Sequence, residues 1–242
     1  MTARLVVGLQ PVREAIRAHG GKLERVLVEA ARGAPQLDAL ARFAGDQGAR
    51  VERVGRGDLD RLSKGAQHQG AIALAPELRI APLDEVISAP DGLVVALDEV
   101  QDPQNFGAVI RSAVAMGATG VLWPEHRSAP LSPATFRASA GAVEHARLCR
   151  VGALPGALET MRALGIAVVG LDMAGEVTID RVDLARPVAI VVGAEGKGLR
   201  KTVKHACDAL ARLPMPGPIA SLNASVAVAI ALYKAVRQRG AR

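Results

Sequence analysis

Residues 188–199 read Val-Ala-Ile-Val-Val-Gly-Ala-Glu-Gly-Lys-Gly-Leu, an apolar run that passes into a glycine-rich turn. A strand followed by such a turn and a helix is typical of the nucleotide-binding loops of parallel α/β folds. The stretch does not match the P-loop motif, because Val191 stands where that motif needs a glycine, five residues before Gly196. It also departs from GxGxxG, since Glu195 replaces the middle glycine, and a carboxylate there would repel a pyrophosphate. The turn is therefore predicted to face a neutral or cationic ligand.

Apolar runs of the same kind recur through the second part of the chain and alternate with helical stretches. Near-continuous apolar runs are expected of parallel strands that are covered on both faces. The predicted strands are Leu93–Leu97, Gly120–Trp123, Ile166–Leu171 and Pro187–Val192, and the predicted helices are Asn105–Met116, Pro133–Ser139 and Leu154–Leu164. This alternation predicts a doubly wound α/β domain with a parallel sheet over residues 92–242.

The first part of the chain has its own alternation and is predicted to form a small α/β domain over residues 1–75. Its predicted strands are Arg25–Ala30, Arg50–Val54 and Gly70–Ala75, and its predicted helices are Pro11–Ala18, Pro35–Ala44 and Asp58–Ser63. Residues 76–91 follow with three prolines, a density typical of a linker. We therefore expect two domains joined by this linker, which holds one helical turn at Leu83–Ile87.

The composition excludes several classes of protein. With 50% hydrophobic and 22% charged residues over 242 positions, the chain is neither fibrous nor disordered nor of low complexity. Cys149 and Cys207 lie far apart and the five histidines show no ligand spacing, so neither a disulfide framework nor a metal site is expected. The first residues lack a signal-peptide pattern, and no apolar run reaches the roughly 18 residues of a membrane span. These features predict a cytoplasmic protein.

The net charge of +6 is typical of a protein with an anionic partner. Residues 1–75 carry 12 basic and 8 acidic side chains, so most of the excess lies in the small domain. Arginines outnumber lysines, and arginine binds phosphate through two parallel hydrogen bonds. An arginine-rich composition also arises in GC-rich genomes, so the charge alone leaves nucleic-acid binding open.

The last predicted helix, Leu222–Arg237, is apolar on every side between Ser225 and Leu232. Such a helix is expected to be buried all round. It could be buried in the interface of a homodimer or inside its own domain. Because the helix ends the sequence, we favour the homodimer.

A polar segment follows the first strand of the second domain. Residues 97–111 read Leu-Asp-Glu-Val-Gln-Asp-Pro-Gln-Asn-Phe-Gly-Ala-Val-Ile-Arg. Asn105 can cap the helix that starts here, and Gly107 permits a close backbone approach. Arg111 lies among apolar neighbours, which is also the pattern of a side chain whose stem packs while its head reaches water.

A second polar segment precedes the last helix. Residues 213–225 read Leu-Pro-Met-Pro-Gly-Pro-Ile-Ala-Ser-Leu-Asn-Ala-Ser. This irregular stretch delivers Ser221 and Asn223 to the start of the helix, where ordinary helix capping would explain both residues.

Taken together, the three segments resemble the signature motifs of the SpoU family of RNA ribose 2′-O-methyltransferases. In chain order they match N-x-G-x-x-x-R, G-x-E-G-x-G and P-M-x-G-x-x-x-S-L-N-x-S. Residues 137–145 are similar to the family's segment between the first two motifs. Residues 1–75, which include His68-Gln69-Gly70, are similar to its ribosomal-protein-like substrate-binding domain. The pattern is most similar to the members that methylate a guanosine in the peptidyl-transferase P loop of 23S rRNA.

The resemblance implies a SPOUT-type catalytic domain whose C-terminal segment forms a deep trefoil knot around S-adenosylmethionine. It implies cofactor contacts from Gly193, Glu195, Gly196, Leu213, Met215 and Leu222. It implies a catalytic set of Asn105, Arg111, Glu195, Ser221 and Asn223. The sulfonium of the cofactor is a cation, which agrees with a carboxylate in the glycine-rich turn, and the chemistry needs no metal.

The resemblance also raises the question of whether Arg111 is a general base. Lowering the pKa of an arginine from about 12.5 to near 7.5 costs roughly 7 kcal/mol. We therefore expect Arg111 to hold the phosphate next to the target ribose, with Ser221 and Asn223 orienting that ribose.

Three classes of function are open at this point: an RNA methyltransferase, a non-catalytic RNA-binding ribosome assembly factor, and a nucleotide-dependent oxidoreductase. The complete five-residue catalytic set argues against the second class, and Glu195 argues against the third. Within the first class, transfer RNA is the alternative substrate to 23S rRNA.

Overall fold

The computed structural model describes residues 3–31, 33–218 and 221–240. They form two compact units, which we call the small unit, Met1–Leu78 with Ala140–His145, and the large unit, Arg79–Ser139 with Ala146–Arg242. In the described part of the chain, no helix combines the length and the apolar character needed to cross a bilayer.

The small unit is a four-stranded sheet with helices on both faces. Its strands are β1 (Arg4–Val7), β2 (Arg25–Glu29), β3 (Val51–Val54) and β4 (Ala71–Ala75), and its helices are α1 (Leu9–His19), α2 (Pro35–Asp46) and α3 (Arg56–Ser63). The strand order is β1-β4-β2-β3, and only β2 and β3 are parallel. Helices α1 and α2 cover one face through a cluster of Val, Leu, Ile and Ala side chains, whereas α3 covers the other through Leu59.

A segment from the second half of the sequence belongs to the small unit. Glu144 accepts two hydrogen bonds from the Arg4 guanidinium, at 2.9 and 2.6 Å, and its carboxylate also lies 2.9 Å from His19 Nε2. His145 pairs with Glu14 at 3.0 Å. These ion pairs explain why residues 140–145 leave the large unit.

The large unit is a seven-stranded, all-parallel sheet. Its strands are β5 (Leu93–Asp98), β6 (Gly120–Pro124), β7 (Leu148–Val151), β8 (Ala167–Leu171), β9 (Val177–Thr178), β10 (Val188–Gly193) and β11 (Ala209–Arg212). The strand order is β7-β6-β5-β10-β8-β11-β9, with every neighbouring pair parallel. The predicted parallel α/β fold is confirmed. The trefoil knot implied by the resemblance stays a prediction.

Helices cover both faces of this sheet. They are α4 (Leu83–Ile87), α5 (Pro103–Ala115), α6 (Pro133–Ala138), α7 (Leu154–Ala163), α8 (Lys201–His205) and α9 (Ala224–Gly240). Side chains of α4, α7 and α8 pack with alternate strand residues in one core cluster. Helix α5 packs against α6 and α9, and α9 also contacts β10. The carboxyl ends of β5 and β10 thereby come together, with Asp98 opposite Gly193 in the register.

The domain division expected over 1–75, 76–91 and 92–242 differs from these units in two places. Residues 140–145 join the small unit, as described above. Most of the expected linker is folded into the large unit, since Val86 of α4 is fully buried and the Ala81 amide donates to the Leu148 carbonyl at 2.7 Å. The prolines flank this helix rather than interrupt it, with Pro82 as its N-cap.

The last helix is not buried on all sides within the single chain, which contradicts the alternative that it packs wholly inside its own domain and leaves the homodimer as a prediction. One side of α9 is buried through Val228, Ala231, Leu232 and Ala235. Another side exposes the apolar residues Val226, Ile230, Tyr233 and Val236. One face packs on α5 and β10, whereas the opposite face stays exposed among the described residues.

Candidate active site

Asn105 does not cap α5, contrary to the sequence prediction. The cap is Asp102, whose carboxylate accepts hydrogen bonds from the amides of Gln104 and Asn105 at 3.2 and 3.1 Å. Pro103 occupies the first turn, where its fixed φ suits a helix start. The side chain of Asn105 is thus released from capping and lies buried at the end of β5.

Asn223 caps the last helix and also takes part in the site. Its side-chain oxygen accepts from the Ser225 amide at 2.9 Å and from the Ser225 hydroxyl at 2.6 Å. Its Nδ2 donates to Asn105 Oδ1 at 2.7 Å. Asn223 therefore caps the helix and also belongs to the candidate site, so the two explanations given for it from the sequence are compatible.

Glu195 completes a three-residue network, which we call the amide–carboxylate cluster (Asn105, Glu195 and Asn223). Asn105 Nδ2 donates to Glu195 Oε2 at 3.1 Å, and Asn223 Nδ2 donates to Glu195 Oε1 at 3.2 Å. Two amides thus fix a carboxylate that is exposed at the surface. The cluster joins one residue from each of the three sequence segments.

The glycine-rich turn after β10 folds tightly onto itself. The Gly198 amide donates to the Ala194 carbonyl at 2.8 Å. A Cβ on Gly193 would lie 2.1 Å from the carbonyl carbon and oxygen of Gly198, so no larger residue fits. Gly196 and Gly198 have φ values of 76° and 65°, in the left-handed region that favours glycine. These glycines set the backbone path that presents Glu195.

A cavity of about 290 Å³ opens beside this turn, and we call it the cofactor pocket. It lies at the carboxyl ends of β8, β10 and β11, where ligands bind in open parallel sheets. Ser221 lies at its wall, together with all the cofactor residues that the sequence predicts. These are Gly193, Glu195, Gly196, Leu213, Met215 and Leu222. Residues 219 and 220 of the third segment lie outside the described residues.

Three charged residues of this pocket were not predicted from the sequence: Lys197 in the glycine-rich turn, and the pair Asp172 and Lys204. Lys204 Nζ lies 2.6 Å from Asp172 Oδ2, and both side chains line the cavity. Burial raises the pKa of Asp172, but the hydrogen bonds from Lys204 and from the Ala174 amide outweigh it and hold the pKa below its usual range. The only sequence signal was the position of Asp172, directly after an apolar run.

The structure does not bring Arg111 into the amide–carboxylate cluster. Arg111 is exposed on α5, and none of the described residues forms a hydrogen bond or ion pair with its guanidinium. Its five N–H donors are therefore available to a ligand. Gly107, on the same helix, provides close contact with α6 rather than with a ligand, since a Cβ there would lie 2.5 Å from Ala138 Cβ.

Comparison with protein-family models shows to which family the chain belongs. The model of the SpoU rRNA methylase family matches residues 92–233, which is more than half of the chain. The chain belongs to the SpoU family. A second model, described as the RNA 2′-O ribose methyltransferase substrate-binding domain, matches residues 5–81. The resemblance of both parts of the sequence is thereby confirmed.

Individual relatives agree with this assignment. An uncharacterized tRNA/rRNA methyltransferase of Mycolicibacterium vanbaalenii is 39% identical over 97% of this chain and 76% of its own length. The SpoU methyltransferase AviRb from Streptomyces viridochromogenes, solved with S-adenosylmethionine, has a TM-score of 0.77 at 30% identity, covering 98% of this chain and 91% of that one. An S-adenosylmethionine-bound rRNA methyltransferase from Sinorhizobium meliloti has a TM-score of 0.77 at 29% identity, covering 98% and 87%. This SpoU protein is accordingly an RNA methyltransferase whose methyl donor is S-adenosylmethionine.

The residues of the cofactor pocket fit this donor. The pocket volume is close to the lower end of the range of small-molecule sites. Its walls combine apolar side chains such as Leu213 and Met215 with the carboxylate of Glu195, which suits a ligand that carries a positive charge, whereas the charge of Asp172 is offset by Lys204.

Proposed function

We propose that this SpoU protein methylates the ribose 2′-hydroxyl of a guanosine in the peptidyl-transferase P loop of 23S rRNA. The amide–carboxylate cluster carries the proposal, because three residues from three separate sequence segments meet beside the cofactor pocket. Such convergence of two amides, one of them buried, on one carboxylate has no evident structural need at an exposed turn, whereas a methyl-transfer site needs a fixed geometry.

The cofactor is held, in this proposal, by the turn at Gly193 and Gly196 together with Leu213, Met215 and Leu222. When bound, S-adenosylmethionine supplies an electrophilic methyl group. Glu195 places a negative charge near the cationic part of the ligand, and the amides of Asn105 and Asn223 keep that carboxylate in one orientation.

The ribose is oriented by Ser221, whose exposed hydroxyl lines the pocket. Asn223 was expected to share this role, but its side-chain oxygen bonds to Ser225 and its nitrogen to the cluster. We infer that Asn223 acts as a positioning residue for Glu195. Arg111 holds the phosphate next to the target ribose, which agrees with its exposed guanidinium, for which the described residues provide no partner.

Two features support a ribosomal RNA target, which would be met in the cytoplasm. Residues 5–81 match a substrate-binding model of RNA 2′-O-methyltransferases. Residues 1–75 carry an excess of four positive charges, from 12 basic and 8 acidic side chains, which suits a structured RNA. Transfer RNA is the alternative substrate.

A homodimer through α9 is part of the proposal. Its exposed residues Val226, Ile230 and Tyr233 recur at helical spacing, and an apolar stripe of this kind is typical of a subunit interface. Ile230→Arg should convert a dimer into a monomer in light-scattering measurements of molar mass. Leu164→Arg, at an exposed apolar residue outside α9, should leave the dimer intact. A monomeric wild-type protein would contradict the interface.

The test of function supplies the purified protein with methyl-labelled S-adenosylmethionine and with unmodified 23S, 16S and transfer RNAs. Alkaline hydrolysis follows, because a 2′-O-methyl group blocks cleavage and leaves a labelled dinucleotide. Such a dinucleotide containing guanosine from 23S rRNA is the expected result. Label in transfer RNA would keep the chemistry and overturn the substrate. Cofactor binding without any labelled RNA would point to a pre-ribosomal particle as the substrate, whereas neither cofactor binding nor labelled RNA would favour the assembly factor.

A further inference from the structure

A second concave surface lies at the same edge of the large sheet, on the other side of β5. It has a volume of about 600 Å³ and lies where β5, β6 and β7 end and where α7 and α8 begin. We call it the β6–β7 groove. Its polar lining comes from Glu99, His126, Arg127, Glu159, Arg200 and His205. None of these residues belongs to the amide–carboxylate cluster or to the cofactor pocket.

One wall of the groove is fixed by an ion pair whose carboxylate is fully buried. Asp98, fully buried at the end of β5, accepts from Arg200 Nε at 2.7 Å and from the Arg200 amide at 2.8 Å. Arg200 also lies 3.1 Å from Glu99. Because Arg200 directly follows the glycine-rich turn and its adjoining Leu199, this pair ties the groove to the turn that carries Glu195.

The other wall presents cationic and hydrogen-bonding groups that are almost free. The Arg127 side chain is 71% exposed, and among the described residues its guanidinium pairs only with Glu99, at the rather long distance of 3.3 Å. His126 and His205 are exposed, and neither has a hydrogen-bond partner among the described residues. Both Glu99 and Arg127 have left-handed backbones, with φ of 56° and 59°, a conformation that side chains disfavour. Such outliers cluster where a fold holds side chains for function.

Most of the N–H donors of Arg127 have no acceptor among the described residues. Glu99 is shared by two arginines, whereas Arg127 has one bond for five N–H donors. The groove also receives the start of α7, whose first turn has no side-chain cap. Glu159 contributes a negative charge that would repel an anion, because no described residue pairs with its carboxylate. The free groups therefore suit a bidentate oxyanion bound beside Arg127 and away from Glu159.

We propose that the β6–β7 groove binds a phosphodiester group of the RNA substrate, on a nucleotide close to the methylated one. The inference rests on the proposed function, since it takes RNA as the substrate. Strands β6 and β7 lie about 5 and 10 Å further along the sheet edge than β5, a distance that neighbouring nucleotides of an RNA chain span. The groove thus gives the large unit an RNA-binding site of its own, separate from the small unit.

The test measures RNA and cofactor binding separately on the full chain. Arg127→Ala should raise the dissociation constant for unmodified 23S rRNA about 10-fold in filter binding, and the slope of log K against log salt should fall by roughly one unit. Glu159→Gln should act in the opposite direction, tightening binding about 3-fold by removing a repulsive charge. Arg186→Ala is the matched control, because Arg186 is an exposed arginine that precedes β10 at the opposite edge of the sheet.

Binding of S-adenosylhomocysteine, followed by calorimetry, shows whether each variant keeps its fold and its cofactor pocket. Unchanged cofactor binding with weaker RNA binding in Arg127→Ala and tighter binding in Glu159→Gln is the result that we expect. Equal RNA affinities and salt slopes in wild type, Arg127→Ala and Arg186→Ala would overturn the groove as an RNA site while leaving the proposed function intact. A wild-type protein that neither binds nor methylates 23S or transfer RNA would overturn the proposed function itself and the groove with it.

Discussion

The cofactor pocket and the β6–β7 groove share one sheet edge but differ in what forms their walls. The pocket is made of glycine backbone, apolar side chains and a carboxylate held by two amides. Half of the residues that line the groove are long charged side chains and histidines, and most of the others are small or apolar. A backbone-built wall suits one small ligand of constant shape, whereas mobile charged side chains suit a polymer whose phosphates arrive in varied positions.

The largest effect should come from filling the turn of the pocket. Gly193→Ala places a Cβ 2.1 Å from Gly198, so the turn must open and lose its cofactor contacts. We expect the dissociation constant for S-adenosylhomocysteine to rise about 100-fold or more, measured by calorimetry. Gly156→Ala, in helix α7 and away from the pocket, is the control, because the added Cβ would meet no neighbouring group within 4 Å. It should bind the ligand normally; similar losses in both variants would refute a specific role for the turn.

The next effect should come from the ion pair that lies between the two sites. Asp98→Ala removes a fully buried carboxylate and leaves Arg200, 37% exposed, without its main partner. We expect the free energy of unfolding to fall by about 2 kcal/mol in urea titrations, less than for a completely buried pair because water reaches Arg200.

Asp98→Ala should also weaken both cofactor and RNA binding, because its partner joins the glycine-rich turn to the groove. Arg162→Ala breaks the exposed Arg162–Asp208 pair, whose side chains are 40% and 42% exposed, and should cost no more than about 0.5 kcal/mol. Weakening of one ligand alone by Asp98→Ala would show that the two walls are mechanically independent.

Much of this sheet is predictable from the sequence, and the exceptions have physical causes. The continuous apolar runs give β5, β6, β8 and β10, since strands buried on both faces need no polar positions. The short strands Leu148–Val151 and Ala209–Arg212 were missed because each is four residues long and contains an arginine. Arg4–Val7 was missed for the same kind of reason, as a four-residue strand next to the start of the chain.

The site was predictable as a set of residues and not as a set of contacts. Motif order singled out Asn105, Glu195 and Asn223, but hydrogen bonds that join positions 118 and 90 residues apart leave no periodic signal. Asn105 and Asp102 are both residue types that cap helices. Asp102 becomes the cap because it directly precedes Pro103, and a residue before proline favours the extended conformation that a cap adopts. The ion pairs of Glu144 with the small unit are equally invisible, because its partners lie more than 100 residues earlier.

A smaller effect separates RNA handling from cofactor handling on α5. Arg111→Ala should lower kcat/KM for RNA about 30-fold through loss of a charge-assisted phosphate contact, with the dissociation constant for S-adenosylhomocysteine unchanged. Arg111→Lys keeps the charge and should retain part of the activity. Complete and equal loss in both variants, in a methyl-transfer assay at saturating cofactor, would argue against a purely electrostatic role for this exposed side chain.

The smallest effect concerns the two thiols, one in each half of the large sheet. Burial, assisted by the charge of Asp84, raises the pKa of Cys149 to about 11; burial, assisted by the charge of Asp208, raises the pKa of Cys207 to about 12. At pH 8 the reactive thiolate is therefore roughly 100-fold and 1000-fold scarcer than for a thiol of pKa 9. Iodoacetamide should leave the activity intact and both residues unlabelled by mass spectrometry, whereas in urea both should react.

The same shifts set the direction of an alkaline effect on stability. A folded-state pKa above the unfolded value means that the unfolded chain loses its thiol proton first as the pH rises. The thiols therefore contribute their full stabilisation below about pH 9 and lose it between pH 9 and 12. Rapid labelling of Cys207 at pH 8, with Cys149 still protected, would show that the half with the cofactor pocket opens on its own, and the pocket could then no longer be regarded as the rigid member of the pair.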